Sequence, residues 1–231
     1  VRGVELGADV VERVGGRGGD RDAVQREVSR HSQGRGRVGY AGAADLGRPR
    51  QGDDLDLVAA TAGVPEDQAL EALERAGAAT LVIEVPGSPG RFAFHHALIQ
   101  HTIYGGLSAT RRQRLHRRVA ETVEDLFGDD LGARVVELAR HWGATAIPTD
   151  ASKAIHYSSL AGDSALLSLG PDEAVRCYAR ALDVLDEASR VDERVRCQLT
   201  VSLGLAQAQT GDSAFRQTLL AAGRQAAELG E

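Results

Sequence analysis

A chain of 231 residues holds one large or two small domains, and its net charge of −6 argues against a general polyanion binder. No apolar run approaches the length needed to span a bilayer and no signal peptide is visible, so the expectation is a cytoplasmic protein with no membrane partner. Aromatic residues make up only 4% of the chain, which leaves alanine and leucine to do the packing and suits close-packed helices. Cys177 and Cys197 form no metal-ligand spacing and read as reduced thiols, or simply as packing residues. Lys153 is the only lysine, methionine is absent, and the chain starts at Val1; together these suggest a GC-rich coding sequence and a piece of a longer protein.

Residues 1–52 carry no persuasive pattern. Gly15-Gly-Arg-Gly-Gly19 and Gly34-Arg-Gly-Arg37 punctuate them, and so much glycine with so little apolar surface makes ordering costly. A disordered linker, an RNA-binding Arg-Gly tract and a segment translated out of frame all remain open for this stretch.

From Asp53 the chain becomes regular. Leu55–Ala62 is predicted as a short helix stopped by Gly63. Pro65 suits the first turn of a second helix, with Glu66 and Asp67 at its positive end, Leu70 and Leu73 on its buried face, and Gly77 as its stop. Leu81–Val85, the turn Pro86–Gly90 and Arg91–Phe94 read as a β-hairpin, with Phe92 and Phe94 on one face. The period then changes: Ala97, Leu98, Ile99 and Ile103 recur at helical spacing, so a strand runs straight into a helix with His95 and His96 at the junction. Helix, turn, helix, hairpin and closing helix make residues 53–106 a winged-helix module. Its second helix carries Glu66, Asp67, Glu71 and Glu74, a surface that repels phosphates, so a packing module is favoured over DNA binding.

Residues 107–148 are expected to be connecting helices. Ser108 is a good N-cap, and Leu115, Val119, Val123 and Leu126 form a buried stripe. Arg111, Arg112, Arg114, Arg117 and Arg118 crowd the first half, with Arg117 placed to pair with Glu121. They form either a solvated face or a basic surface for an acidic partner. Val135, Leu138, Ala139 and Trp142 mark the next amphipathic helix, with Trp142 as a core anchor.

Residues 149–231 contain a repeat. Ala161-Gly162 is followed by Ala174, Tyr178 and Ala181, which is the skeleton of a tetratricopeptide repeat. Small residues let two helices approach and Tyr178 fills the space between them, with Gly170-Pro171 as the turn. Leu203-Gly204 restarts the pattern 42 residues after Gly162, followed by Phe215, Leu219 and Ala222, with Phe215 where alanine is expected. The open end near Glu231 implies further repeats. The fold class is therefore mainly α: a winged helix with one β-hairpin, then a tetratricopeptide-like array of about two degenerate helical hairpins.

No phosphate-cradling Gly-x4-Gly-Lys-Ser/Thr loop occurs, and His95, His96 and His101 have no cysteine or carboxylate at ligand spacing. The expectation is a non-catalytic chain with no metal site and no cofactor of its own.

Phe92-Ala-Phe-His-His-Ala-Leu-Ile-Gln-His-Thr-Ile-Tyr104, then Leu107-Ser-x-x-Arg-Arg-x-Arg-Leu-His-Arg-Arg-Val-Ala-Glu121, then Glu137-Leu-Ala-Arg-His-Trp142 resemble the region after the ATPase core in bacterial STAND ATPases, the signal-transduction ATPases with numerous domains. That family includes large LuxR-type regulators, activators with a transcriptional-activation domain, and fusions to nucleotide cyclases. The resemblance covers about residues 53–229. It implies a winged helix that controls an ATPase core, repeats that bind a protein or small-molecule inducer, and ATP or ADP with Mg in the intact parent. DNA would be reached only through a separate output domain. In some relatives a winged-helix histidine in a Met-His-Asp motif touches the nucleotide's phosphate, and by position His96 is the match, flanked here by His95 and Ala97. A cyclase or kinase fusion and a free-standing repeat adaptor are the alternative readings.

Overall fold

The computed structural model describes residues 53–128, 131–132, 134–145, 148–188 and 191–230, so the readings made for residues 1–52 lie outside it. Among the described residues the fold is mainly helical, with nine α-helices and one small antiparallel sheet. The chain divides into two compact units between Arg112 and Gln113.

In the first unit, β1 (Asp53–Asp54) leads into α1 (Leu55–Ala62), α2 (Glu66–Ala78), β2 (Val82–Glu84), β3 (Arg91–Phe94) and α3 (Ala97–Gly105). The sheet order is β1-β3-β2, so the hairpin gains an edge strand that pairs Asp53 with Phe92. Val82 faces Phe94 across the hairpin and Glu84 faces Phe92. Glu84 also ties the turn, accepting the Gly90 N–H at 2.9 Å. The core gathers Leu55 and Val58 of α1, Ala69, Ala72, Leu73 and Ala76 of α2, and Val82 and Phe92 of the sheet. Leu70, Phe94 and Ile103 pack partly buried around it. This is the expected α1, α2 and β-strand arrangement, held by an alanine-rich α2 face that lets the helix lie close to its neighbours.

Two of the sequence expectations shift here. The helix α2 does not stop at Gly77 but runs to Ala78, and the left-handed residue that closes it is Thr80, at φ 57°. Thr80 N–H donates to the Gly77 carbonyl at 2.8 Å and Leu81 N–H to the Ala76 carbonyl at 2.9 Å, the paired bonds of a Schellman cap. In α3 no residue is buried, and Leu98 is 55% exposed. The helical spacing of Ala97, Leu98 and Ile99 therefore marks no core face in this unit; Ile103 alone of that set reaches the core.

The helix α4 (Ala109–Phe127) begins where predicted: Ser108 Oγ accepts the Arg111 N–H at 3.2 Å. In the second unit α4 is followed by α5 (Arg134–Gly143), a 3-10 turn (Pro148–Asp150), α6 (Ala151–Leu167), α7 (Pro171–Glu187), α8 (Glu193–Thr210) and α9 (Phe215–Leu229). From α5 onward each helix packs on the next in sequence. The α4 stripe buries Leu115, Val119 and Val123 with His116 and Ala120, whereas Leu126 is 47% exposed. The row at four-residue spacing continues from Val123 to Phe127, not Leu126, and the Arg134 guanidinium covers the Phe127 ring at 3.9 Å. Trp142 is buried, as expected of a core anchor.

The α6–α7 seam is closed by glycine against tyrosine. A Cβ on Gly162 would lie 2.6 Å from Tyr178 Cε1, so only glycine admits the ring. Ala161, Ala174 and Ala181 are fully buried beside it. The α8–α9 seam repeats the device with a different plug: a Cβ on Gly204 would lie 2.7 Å from Leu219 Cδ2, with Ala222 buried beside it. Phe215 sits only partly buried where the first hairpin has Ala174.

Another Schellman cap ends α6, with Gly170 N–H donating to the Ala165 carbonyl at 2.8 Å and Leu169 N–H to the Leu166 carbonyl at 3.1 Å. Its left-handed residue is Leu169, at φ 57° and 90% exposed. An L-residue with a Cβ costs about 1–2 kcal/mol in that conformation, and this leucine recovers nothing by burial. Leu169→Gly is expected to stabilise the chain by about 1 kcal/mol and raise its midpoint in urea at unchanged slope. A lower midpoint would show that the leucine is held by something other than the cap.

Candidate functional site

The β3–α3 junction carries the residue singled out by sequence. Phe92 and Phe94 anchor β3 in the core, and His95 N–H donates to the Leu81 carbonyl at 3.0 Å, which fixes the chain up to the junction. His96 then takes the N-cap position of α3 in extended conformation, φ −136° and ψ 140°, and its carbonyl accepts the Ile99 N–H at 3.0 Å. Its side chain makes no capping hydrogen bond. The ring is exposed and meets His95 edge-on, with centroids 4.3 Å apart. His101 is also exposed, one turn further on. The structure thus brings His95 and His96 together at the surface beside the donor-rich end of a helix. No group of three or more His, Cys, Asp and Glu residues placed to hold a metal occurs among the described residues.

Glu66, Asp67, Glu71 and Glu74 are all exposed on α2, so the acidic surface expected from the sequence faces solvent. Of the arginine run, Arg117 donates to Glu121 at 2.8 Å, the predicted pair, and also lies 3.7 Å from the buried carboxylate of Asp150. Arg112 lies over the Tyr104 ring at 5.3 Å. These contacts favour a paired, solvated face over a free basic surface.

Three features of the second unit escaped the sequence. First, Trp142 Nε1–H donates to Glu124 Oε1 at 3.0 Å, and Lys153 Nζ donates to Glu124 Oε2 at 2.6 Å while sitting 4.3 Å from the centre of the indole ring. One carboxylate therefore joins α4, α5 and α6. Second, buried His116 and His141 meet at 3.2 Å between their Nδ1 atoms, and His141 Nε2 lies 2.8 Å from Arg140 Nη2. A guanidinium only donates, so His141 Nε2 accepts, His141 Nδ1 carries the proton, and His116 Nδ1 receives it. Third, a cleft of about 630 Å³ opens between α6 and α8, with Leu185 and Leu199 in its lining and Ser152, His156, Ser159, Gln198 and Ser202 among its polar groups. The only available sequence signal was the polar spacing Ser152, His156, Ser159, which places all three on one face of α6.

Cys177 and Cys197 are buried and free. Burial, with Glu173 beside it, pushes the Cys177 thiol up and leaves it a poor nucleophile at neutral pH. The Cys197 thiol donates to the Ala222 carbonyl at 3.6 Å. Both therefore act as packing residues. Burial also raises Tyr178, whose hydroxyl donates to Asp163 at 2.6 Å, so the phenol remains protonated.

Comparison of the chain with known protein families, with curated proteins and with solved structures gave no match.

Proposed function

We propose that the chain is a non-catalytic regulatory segment of an ATP-dependent signalling or transcriptional regulator. In this reading residues 53–106 are a winged helix that holds an ATPase core at rest, and residues 149–231 are tetratricopeptide-like repeats that take a partner or inducer. ATP or ADP with Mg would belong to the core, and DNA to a separate output domain.

The observation that carries the reading is His96, exposed at the N-cap of α3 with its side chain uninvolved in capping. A histidine there is placed to donate to a phosphate oxygen presented by a docked core. Two further features support it. The order α1, α2, β2, turn, β3, with β1 closing the sheet as β1-β3-β2, supports the winged-helix part of the reading. The glycine-against-plug seam recurs from α6–α7 to α8–α9, as expected of stacked hairpins. The exposed acids of α2 support a winged helix turned to protein rather than to DNA.

The test has two arms. Genomic DNA on both sides, read in three frames, is expected to encode a Walker loop upstream. In the protein that contains that core, His96→Ala is expected to weaken ADP binding about tenfold to a hundredfold, the value of a hydrogen bond to a charged group at roughly 1.5–3 kcal/mol. Its melting temperature should hardly move, since the ring is exposed and caps nothing. Unchanged ADP affinity with a lower melting temperature would end the sensor role and leave His96 as a structural residue.

A further inference from the structure

The cleft between α6 and α8 has a chemistry that narrows what it can hold. Both helices pack on α7, and the space between them is floored by aliphatic side chains: Ile155 of α6, Leu185 of α7, and Val195 and Leu199 of α8. Its volume, about 630 Å³, lies within the range of small-molecule sites. The polar groups stand on the facing helices at helical spacing. Ser152, His156 and Ser159 fall at i, i+4 and i+7 on α6, and Gln198 and Ser202 at i and i+4 on α8.

The charges are the informative part. Among the described residues of the lining there is no lysine or arginine, so none of them offers a carboxylate or phosphate a fixed counter-ion for the hydration it would lose. The one acid among its described residues, Asp192, already serves as the N-cap of α8, accepting Arg194 N–H at 3.0 Å and Val195 N–H at 3.3 Å. A cation would therefore compete with the helix for it. Among the described lining residues phenylalanine, tyrosine and tryptophan are absent, which leaves a flat heteroaromatic ring only the small His156 imidazole to stack on. What remains is hydroxyl, amide and imidazole around an aliphatic floor. One wall residue, Ser202, lies near Tyr178, the plug of the α6–α7 seam. A ligand that engages Ser202 thus sits beside the group that sets the spacing of that hairpin.

We propose that this cleft is a binding site for an uncharged aliphatic molecule bearing hydroxyl or ester oxygens, with its chain on Leu185 and Leu199 and its oxygens among the serines and Gln198. This deepens the regulatory reading at its inducer-binding end and rests on it only for the consequence of binding. Binding itself needs no ATPase core.

The test uses the 231-residue chain and isothermal titration with 1-decanoylglycerol below its micelle concentration. Saturable one-to-one binding is expected, with decanoate and glycerol each weaker by about tenfold or more. Ser159→Trp, which fills the cleft, and Gln198→Trp, at its exposed rim, should each weaken binding by about tenfold or more. The melting temperature of the free variants decides whether either has simply unfolded; if Ser159→Trp has, Gln198→Trp carries the comparison. No binding to the parent chain, equal binding to a folded variant, equal binding of decanoate, or many molecules bound per chain would each overturn the proposal. So would saturable binding of an extended Ala-Ser peptide where decanoylglycerol gives none, which would assign the cleft to a polypeptide. A missing Walker loop in the flanking DNA would sink the regulatory reading and leave this result untouched.

Discussion

Gly162→Val is expected to destabilise the second unit by about 3 kcal/mol or more, lowering its melting temperature by roughly 10 °C. The new Cβ alone would meet the Tyr178 ring at 2.6 Å from Cε1 and 2.7 Å from Cζ, well inside contact distance. The ring has no room to yield. Tyr178 is 1% exposed, its hydroxyl is tied to Asp163, and fully buried Ala174 and Ala181 border it on α7. Gly162→Ala should cost less, because the gain in helix propensity of about 1 kcal/mol offsets part of the overlap. The mechanism is separable from a general intolerance of the site. Tyr178→Leu removes the ring atoms that collide, so Gly162→Ala should cost less in that background than in the parent chain. A double-mutant cycle by urea denaturation measures the coupling, and strict additivity would mean that the glycine serves something other than the tyrosine.

Trp142→Ala should cost about 3–5 kcal/mol, the usual range for deleting a buried large aromatic side chain. Trp142 is 2% exposed and lies among the most enclosed side chains of the chain. It also donates to Glu124, and removing the donor strips the carboxylate of one partner while Lys153 remains. Lys153→Met gives the contrast. Its side chain is 47% exposed, so its bond to Glu124 is screened by solvent and the loss should stay within about 1 kcal/mol. If Lys153→Met proved as costly as Trp142→Ala, the ion pair rather than the indole would be holding α4, α5 and α6 together.

The parts of this fold that were legible in the sequence are those with a local cause. Ser108 caps α4 because a hydroxyl three residues before Arg111 N–H reaches it. Pro65 precedes α2, Pro171 opens α7, and the Gly162–Tyr178 and Gly204–Leu219 spacings produce real close approaches. The misplaced readings share a different cause. Gly77 looked like the end of α2, yet the left-handed position fell three residues later on Thr80, because the cap is set by where Leu81 enters the sheet. Leu98 and Leu126 fit a helical apolar spacing and are nevertheless half-exposed, since spacing fixes a face but not whether anything covers it. The β1 edge strand, the His116–His141 contact and the Glu124–Lys153 bond join residues 25 or more positions apart, so no local pattern announced them. His116 in particular sat inside an arginine run that read as a solvated face. His96 could be singled out only through resemblance, and its exposure at the N-cap became visible only with the backbone in place.

The chain has one indole and one ε-amine, Trp142 and Lys153, and it places them face to face at 4.3 Å. A positive charge over the ring and a negative charge at its nitrogen set the electric field in which that chromophore emits. Indole fluorescence, excited beyond the absorption of the four tyrosines, is therefore a single-site signal rather than an average. An acylating reagent has one side-chain amine to find, and its reaction there would abolish the positive half of that field. Labelling stoichiometry and emission wavelength would then report on the same few ångströms, where α4, α5 and α6 meet.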